Sequence, residues 1–237
     1  MDIQVQYRSA AGRTCRDEPA AVRGVPLEER QPLSEPRAYK GRTSILTKWT
    51  AATTGQAVWC ASTAQMDAAM LLDFDADIVC FQSRVVQVHW KLEGRRGTME
   101  PAFVARTRDE HRLVFAHPPR DEAGLEERAL REAADGAGWE IRPLRVPQGV
   151  LRSSLASAAH FSGLEFAADD DARQVLLEVF ARPRPLLAGA AASGLGLKAA
   201  GYAWHLVWTG ELACDWTKPL LPTSPVWASQ AAAGEEA

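Results

Sequence analysis

The sequence predicts an α/β fold with a mixed β-sheet, followed by a smaller helical domain. Between Ser44 and Pro147, short β-branched and aromatic segments alternate with helical segments, an order typical of a sheet covered by helices. From Gln148 onwards most segments have helical character. The chain has 237 residues, of which 46% are hydrophobic and 24% charged. It is therefore long enough to form a packed core in one large domain or two small ones.

Charge and cysteine content limit the classes of function. The formal net charge is −3, so contact with nucleic acid requires local basic patches or a partner subunit. The four cysteines, Cys15, Cys60, Cys80 and Cys214, form no CxxC pair, which argues against a zinc site or a disulfide framework. No apolar run approaches the roughly 20 residues of a membrane span, and the first residues lack the apolar segment of a signal peptide. We expect a soluble, cytoplasmic protein without a membrane partner.

The first 43 residues contain many arginines among prolines and acids, with little periodicity. This composition is typical of flexible segments. We therefore expect residues 1–43 to form a flexible basic arm, with one short strand at residues 3–7. A solvated tail and an arm that lies along phosphates are both compatible with the pattern.

Residues 44–147 carry the alternating pattern of the predicted α/β domain. The run Ser62-Thr63-Ala64-Gln65 matches a capping box, which predicts that a helix begins here and continues to about Leu72. A second helix, rich in Glu, Ala and Leu, is expected over residues 121–136. The expected strands have β-branched or aromatic content. They span residues 56–60, 78–92 (one long strand or two short ones), 98–106, 112–116 and 139–144.

Residues 148–228 form the second predicted domain. Helices are expected over residues 150–160, 172–180, 186–192 and 197–208. A short hairpin is expected around residues 209–215. Helices followed by a small hairpin are typical of a winged helix, although several small helical domains share this arrangement. Residues 229–237 are expected to form a disordered tail.

Several of these segments resemble one protein family. The region from Thr47 to Val79 contains ATTG and WCASTAQMDAAMLLDFD. It is similar to the TnsA-like endonuclease subunits of heteromeric (TnsA/TnsB-type) bacterial transposases, especially the actinobacterial ones. The segments EPAFVAR at 100–106, GWE at 138–140 and HLVWTGEL at 205–212 extend the similarity over about residues 38–225. The resemblance implies a restriction-endonuclease-like core followed by a winged-helix-like domain. It also implies two partners, DNA and an integrase-like transposase subunit or another protein of the same complex.

The resemblance also implies where catalytic residues would lie. Such nucleases hold Mg²⁺ with carboxylates and place a cation beside the scissile phosphate. A glutamate is expected on the first helix, but Ala61 or Gln65 stands there. Ala102 replaces an aspartate on a central strand, while Ala116 and Pro118 replace a carboxylate and a cation on the next strand. These positions therefore predict no catalytic residue, no metal ligand and no cofactor.

A rebuilt metal site is the alternative at these positions. Glu100 lies two residues before Ala102, on the same face of a strand. His117 is a residue type that binds transition metals. In that case the chain would be an active, Mg²⁺-dependent endonuclease subunit with a non-standard or partner-completed site.

Three functional hypotheses follow from the sequence. The leading one is an inactive TnsA-like subunit that binds DNA, a transposase or another protein in a complex derived from a mobile element. The second is the active endonuclease subunit. The third is a protein-interaction scaffold that does not bind DNA.

Basic residues supply the candidate DNA contacts. They lie at the predicted turn after residue 92, at the junction of the two domains and in the helical region. The candidates are Arg95, Arg96, Arg142, Arg145, Arg152, Arg182, Arg184 and Lys198. Such clusters contact phosphates without reading the base sequence, and ordinary solvent-facing arginines are the alternative.

Overall fold

The computed structural model describes residues 2–35, 45–117 and 124–229. The chain forms two compact units, Met1–Val146 and Pro147–Ala237. Both contain helices and strands among the described residues, so the predicted α/β class is confirmed. No helix in the described ranges is long and apolar enough to cross a membrane.

Parts of four sequence predictions fall outside the described residues. They are the end of the predicted arm at residues 36–43, the position of Pro118 and the predicted tail after Ser229; the first three residues of the helix predicted over residues 121–136 also fall outside.

The described part of the first unit contains ten strands and two α-helices. In chain order these are β1 (Asp2–Arg8), β2 (Thr14–Asp17), β3 (Thr47–Thr50), β4 (Ala57–Cys60), α1 (Thr63–Phe74), β5 (Ile78–Gln82), β6 (Gln87–Leu92), β7 (Arg95–Met99), β8 (Phe103–Thr107), β9 (Arg112–Ala116), α2 (Leu125–Ala137) and β10 (Glu140–Pro143). Two short 3-10 helices, Pro19–Val22 and Leu27–Glu29, follow β2.

Residues 2–35 do not form the flexible arm expected from their composition. Strand β1 lies between β2 and β6 in an antiparallel sheet of order β2-β1-β6-β7. Ile3, Val5 and Tyr7 alternate along β1 and pack into a core shared with α2. The expectation was wrong because these apolar residues find their partners in β6, which is distant in sequence and leaves no local signal.

A second, mixed sheet has the order β10-β9-β8-β5. Strands β5, β8 and β9 are antiparallel neighbours, whereas β10 runs parallel to β9 after the crossover through α2. Phe103 and Leu113 face the core under α1, while Val104 and Val114 face the core that contains α2. The two faces of this sheet are therefore covered by different helices, in agreement with the predicted mixed sheet.

Helix α1 begins at the predicted position. The Ser62 hydroxyl oxygen accepts a 3.1 Å hydrogen bond from the backbone N–H of Gln65, as expected for a serine N-cap. The side chain of Gln65 departs from the capping box, since its Oε1 accepts from the N–H of Ala61 at 2.7 Å. The amide group therefore reaches one residue beyond the cap.

The end of α1 is tied to the loop between β3 and β4. Asp73 is buried, and its carboxylate accepts hydrogen bonds from Trp49 Nε1 and from the backbone N–H groups of Ala52 and Thr53 at 2.9–3.2 Å. The Thr53 hydroxyl donates a further bond of 3.2 Å. This loop, which contains the ATTG segment, is thus anchored to α1 through the side chain of Asp73.

The second unit contains four helices and three short strands among its described residues. They are α3 (Gly149–Ala159), α4 (Asp170–Val179), β11 (Arg184–Pro185), α5 (Leu186–Ala192), α6 (Ala199–Trp208), β12 (Leu212–Cys214) and β13 (Pro225–Ala228), with 3-10 helices at Leu164–Phe166 and Gly196–Lys198. The strands form an antiparallel sheet of order β11-β13-β12. The hairpin predicted around residues 209–215 contributes only β12, because its partner β13 follows a longer loop.

Aromatic packing stabilises α6 in the second unit. The ring of Phe161 stacks on Trp204 with centroids 5.4 Å apart and makes an edge contact with Phe166 at 5.1 Å. His205 is buried, and its Nδ1 lies 2.7 Å from the carbonyl oxygen of Phe161. This histidine is therefore a hydrogen-bonded core residue.

Candidate functional site

A cavity of about 970 Å³ lies in the first unit. The residues that line it come from β4, α1, β6, β7, β9, α2 and β10, and from the segment just before β8. Gln65, Ala102 and Ala116 all line this cavity. Three positions that are far apart in the sequence therefore come together around one space.

Gln65 joins two elements on the cavity wall. Its Nε2 donates a 3.1 Å hydrogen bond to the carbonyl oxygen of Ala102, and its Oε1 accepts from the N–H of Ala61. Both ends of the amide are thus bonded to backbone, and the residue is only 6% exposed. A side chain held in this way links the start of α1 to the start of β8.

The two alanines occupy the strands beside Gln65. Ala102 is 1% exposed, and its N–H donates a 2.7 Å hydrogen bond to the carbonyl oxygen of Phe115. The carbonyl oxygen of Ala116 accepts a 3.0 Å bond from the N–H of Leu144. Their backbones belong to the sheet, and only methyl groups are available to the cavity.

Arg84, Gln87 and Glu100 form a polar cluster on another wall. Arg84 Nη1 lies 3.3 Å from Glu100 Oε2, and Gln87 Nε2 donates to Glu100 Oε1 at 3.3 Å. Arg84 has φ +61°, an uncommon conformation for a residue with a Cβ. Its guanidinium also donates to the carbonyl and hydroxyl oxygens of Ser34 at 2.9 and 2.8 Å. Glu100, the carboxylate of the alternative metal site, therefore has both oxygens engaged.

The remaining polar groups on the wall come from the first turns of α2 and the end of β9. Glu126, Glu127 and His117 line the cavity, and Glu127 Oε1 accepts a 2.7 Å bond from Arg131 Nη2. Glu100 and His117 thus share one cavity, as the alternative requires. Within the described ranges, no three His, Cys, Asp or Glu side chains are grouped as ligands for a metal ion.

Several residues on these walls were not predicted from the sequence. Arg84, Gln87, Glu127 and Arg131 were not candidates, and they lie on β6, on α2 and in the segment between β5 and β6. The acidic first turn of α2 is visible in the sequence, but it indicates only a favourable helix start. The left-handed conformation of Arg84 has no signal of its own.

Cys60 lies between two residues that line the cavity, Trp59 and Ala61. Its side chain is fully buried, and burial raises the pKa of the thiol to about 12. The thiolate form is therefore very scarce at neutral pH, which argues against Cys60 as a nucleophile.

The structure separates the predicted DNA contacts of the first unit. Arg95 and Arg96 are exposed neighbours on β7, so their side chains point to opposite faces of the sheet. Arg142 pairs with Glu140 at 2.7 Å, and this hydrogen bond lowers the pKa of the Glu140 carboxyl. Arg145 is exposed after β10. These four residues do not form a single cluster in sequence or on one strand face.

The other predicted contacts lie in the second unit. Arg152 is exposed on α3, and Lys198 is exposed in the 3-10 helix before α6. Arg182 and Arg184 are exposed just before α5. A role in DNA binding stays a prediction for all of these residues.

Comparison with known proteins adds no relative. A scan against models of protein families finds no match, and a search of curated proteins finds none either. The role of the chain must therefore be inferred from its own residues.

Proposed function

We propose that the chain is a catalytically inactive TnsA-like subunit that binds DNA, together with a transposase or another protein partner. The observation that carries this proposal is the convergence of Gln65, Ala102 and Ala116 on one cavity. In a metal-dependent nuclease these positions would supply the charged ligands. Here they supply one amide and two methyl groups.

The chemistry of these groups supports the absence of cleavage. Mg²⁺ prefers carboxylate and other hard oxygen ligands with negative charge. Gln65 is neutral, and both polar atoms of its amide are already bonded to the backbone of Ala61 and Ala102. An exchange of these bonds for a metal would remove the side-chain partner of the buried Ala102 carbonyl group, at a cost of about 1–3 kcal/mol.

The arrangement of elements is compatible with the proposed relationship. The order α1, β5, β8, β9, α2 and β10 builds a mixed sheet with a helix on each face, as expected for a restriction-endonuclease-like core. In the second unit, α4, α5 and α6 are followed by β12 and β13, which pair in one small sheet with β11. Helices followed by such strands support a winged-helix-like domain.

One observation favours the alternative of an active endonuclease. Glu100, Glu127 and His117 line the same cavity, so carboxylates are present at its edge. Glu100 and Glu127 are, however, engaged by Arg84 and Arg131. Metal binding would have to break these ion pairs, which makes the inactive subunit the better supported function.

Cleavage assays test the catalytic part of the proposal. The full chain, alone and with co-purified partners, is incubated with supercoiled DNA in Mg²⁺ or Mn²⁺, and we expect no nicking. Glu100→Ala is compared with Glu93→Ala, which removes a carboxylate at the far end of the β6–β7 hairpin. Nicking by the wild type that disappears only in Glu100→Ala would overturn the proposal in favour of the enzyme.

DNA binding, measured at increasing salt concentrations, tests the DNA-binding part of the proposal. We expect the wild type to bind duplex DNA with an affinity that falls steeply between about 50 and 200 mM salt, because phosphate contacts release counterions. A chain that binds no DNA at low salt, with or without its partners, would instead be the protein scaffold.

A further inference from the structure

The outward face of the sheet β2-β1-β6-β7 is polar along all four strands. Side chains of a strand alternate between the two faces. Val5 and Val88 mark the inward face, because both are buried in the core that contains α2. The residues that alternate with them point outward. They include Gln6, Arg16, His89, Lys91, Arg96 and Thr98.

Four of the outward residues are cations, and one of them, Arg8, already donates hydrogen bonds to the carbonyl oxygens of Gly12, Pro32 and Leu33. Arg16, Lys91 and Arg96 are all exposed. Within the described part of the chain, none of them forms an ion pair. Asp2 is the one acidic residue at an outward position of these four strands. Positive charge is therefore concentrated on this face of a chain whose net charge is −3.

Several other arginines of the first unit, in contrast, are paired with carboxylates. Arg106, Arg128 and Arg142 each pair with a carboxylate at 2.6–2.9 Å. A tight ion pair neutralises the cation locally, so these residues offer little attraction to an anion. The exposed cations of the outward face, unlike these three arginines, remain available for an external partner.

Arg16 is positioned across the sheet by its neighbours. Its Nη2 donates a 2.7 Å hydrogen bond to Gln6 Oε1 and lies 3.1 Å from His89 Nε2. Burial, and then the nearby Arg16, lower the pKa of His89, which favours the neutral imidazole. The guanidinium has further N–H groups on Nε and Nη1, which have no partner among the described residues. It is held in place and still able to donate outward.

The outward cations are separated by a distance that spans several nucleotides of a DNA strand. Lys91 lies opposite Arg96 in the β6–β7 pairing, whereas Arg16 lies opposite Gln6. With strands about 4.8 Å apart and about 3.4 Å per residue, Arg16 and Lys91 are separated by about 17 Å. This length corresponds to about five nucleotides of one strand of DNA.

We propose that this outward face, with Arg16, Lys91 and Arg96, holds the sugar–phosphate backbone of double-stranded DNA without reading its sequence. The proposal rests on the proposed DNA-binding function and names the surface that the first unit uses for it. Amide and hydroxyl groups such as those of Gln6 and Thr98 are common donors to phosphate oxygens.

A protein partner fits this face less well than DNA does. The outward positions of the four strands include no large apolar side chain, and protein interfaces depend on buried aromatic or apolar anchors. The face offers charge and hydrogen-bond donors instead, which are what a phosphate backbone requires.

In a winged-helix-like domain a helix such as α6 would contact DNA, but α6 is poorly suited to this role. The outward face can make the contact instead. Recognition helices expose polar side chains to the DNA. The polar side chains of α6 are Tyr202 and His205, and His205 is buried. Arg96 is the one sequence-predicted contact on the outward face, since Arg95 points to the other side.

Charge-neutral variants of the full chain test the proposal. The triple variant Arg16→Gln/Lys91→Gln/Arg96→Gln is compared with Arg23→Gln/Arg108→Gln/Arg128→Gln, which removes the same charge from positions of the first unit outside these four strands. Binding of a 30-base-pair duplex of arbitrary sequence is measured by fluorescence anisotropy between 50 and 200 mM salt. Thermal unfolding confirms that both variants are folded.

We expect the outward-face variant to bind at least about tenfold more weakly, with a salt slope smaller by about 2–3, since each lost phosphate contact removes about 0.9. The control should bind like the wild type. Equal binding by both variants would overturn the outward face while leaving the DNA-binding function intact. A wild type that binds no DNA refutes that function and this proposal with it. Equal affinity of the wild type for polyglutamate would indicate an acidic protein partner instead.

Discussion

Gln65 Nε2 donates a hydrogen bond to the carbonyl oxygen of Ala102, 37 positions later in the sequence. This bond connects α1 with β8 on the wall of the cavity. It places an amide at the point where the proposed relationship would have required a charged ligand. The bond therefore has a structural role that a variant can measure.

Replacement of Gln65 by alanine should destabilise the first unit. The change leaves the buried carbonyl group of Ala102 and the N–H of Ala61 without their side-chain partner. We expect a loss of about 1–3 kcal/mol in the free energy of unfolding, measured by urea denaturation. Gln56→Ala, at an exposed position, should change it by less than about 0.5 kcal/mol. Equal effects of the two changes would show that the bond contributes nothing.

Gln65→Glu should produce a destabilisation that depends on pH. A carboxylate would face the carbonyl oxygen of Ala102, and this repulsion together with burial would raise the pKa of the introduced acid in the folded state. Stability is then retained near or below the unfolded pKa of about 4.3 and is lost as pH rises through the folded value. Urea midpoints at pH 4.5, 6 and 7.5 measure the effect. A difference in urea midpoint from the wild type that stays constant across this pH range would contradict the prediction. Gln56→Glu, at an exposed position, is the control.

Substitutions of the neighbours Glu28 and Glu29 test which contacts hold the N-terminal segment, residues 2–35, in place. Glu28 is fully buried, with Oε1 2.9 Å from Arg106 Nε and Oε2 3.7 Å from Arg112 Nε. Its neighbour Glu29 also pairs with Arg106, but its side chain is 47% exposed. Glu28→Ala should cost about 3–5 kcal/mol, because it removes the carboxylate that faces Arg112, whose side chain is only 17% exposed, and the buried partner of Arg106. Glu29→Ala should cost no more than about 1 kcal/mol.

Chemical denaturation and limited proteolysis measure this difference. Cleavage within residues 2–35 should accelerate in Glu28→Ala and remain slow in Glu29→Ala. Rapid cleavage of the wild type in this segment would contradict the ordered sheet that contains β1.

The cysteines should differ in reactivity in the native protein. Burial raises the pKa of Cys60 to about 12 and those of Cys80 and Cys214 to about 11. At pH 8 these thiols remain protonated, with roughly one in a thousand or fewer as thiolate. Iodoacetamide labelling followed by mass spectrometry should therefore modify the partly exposed Cys15 first. Labelling of Cys214 should accelerate about tenfold per pH unit up to its pKa, and fast labelling of Cys60 at pH 8 would be inconsistent with its burial.

The elements with strong local signals were predictable from the sequence. The cap at Ser62 and the apolar face that follows it located α1, and the β-branched run after Ile78 resolved into β5 and β6. Leu186–Ala192 was predicted with its observed bounds. In these segments the pattern of a few neighbouring residues decides the backbone conformation.

The N-terminal sheet was not predictable in the same way. The alternation of Ile3, Val5 and Tyr7 indicated a short strand, but the surrounding arginines and prolines suggested flexibility. The order of this segment comes from its pairing with β6 and from Glu28, whose partners Arg106 and Arg112 lie on β8 and β9. Contacts between distant segments determine the structure here, and local composition does not encode them.

The candidate site was predictable in part. The resemblance selected Gln65, Ala102 and Ala116, and the structure places them around one cavity. It did not select Arg84 or Gln87, which engage Glu100. Such groups become visible only when the strands have been brought together.

The position of β1 in its sheet has a consequence during synthesis. A ribosome completes β1 and β2 well before β6 leaves the exit tunnel, and an isolated two-stranded hairpin is at best marginally stable in water. Until β6 with Val88 has been synthesised, the edge of β1 that will pair with β6 has no partner strand. The apolar side of β1 that carries Val5 is uncovered as well. The polar side chains of Gln4, Gln6 and Arg8 alternate with the apolar ones and reduce the tendency of such an edge to pair with other chains. The polar residues on the outward side of β1 thus lower the tendency of the nascent chain to aggregate before the sheet is complete.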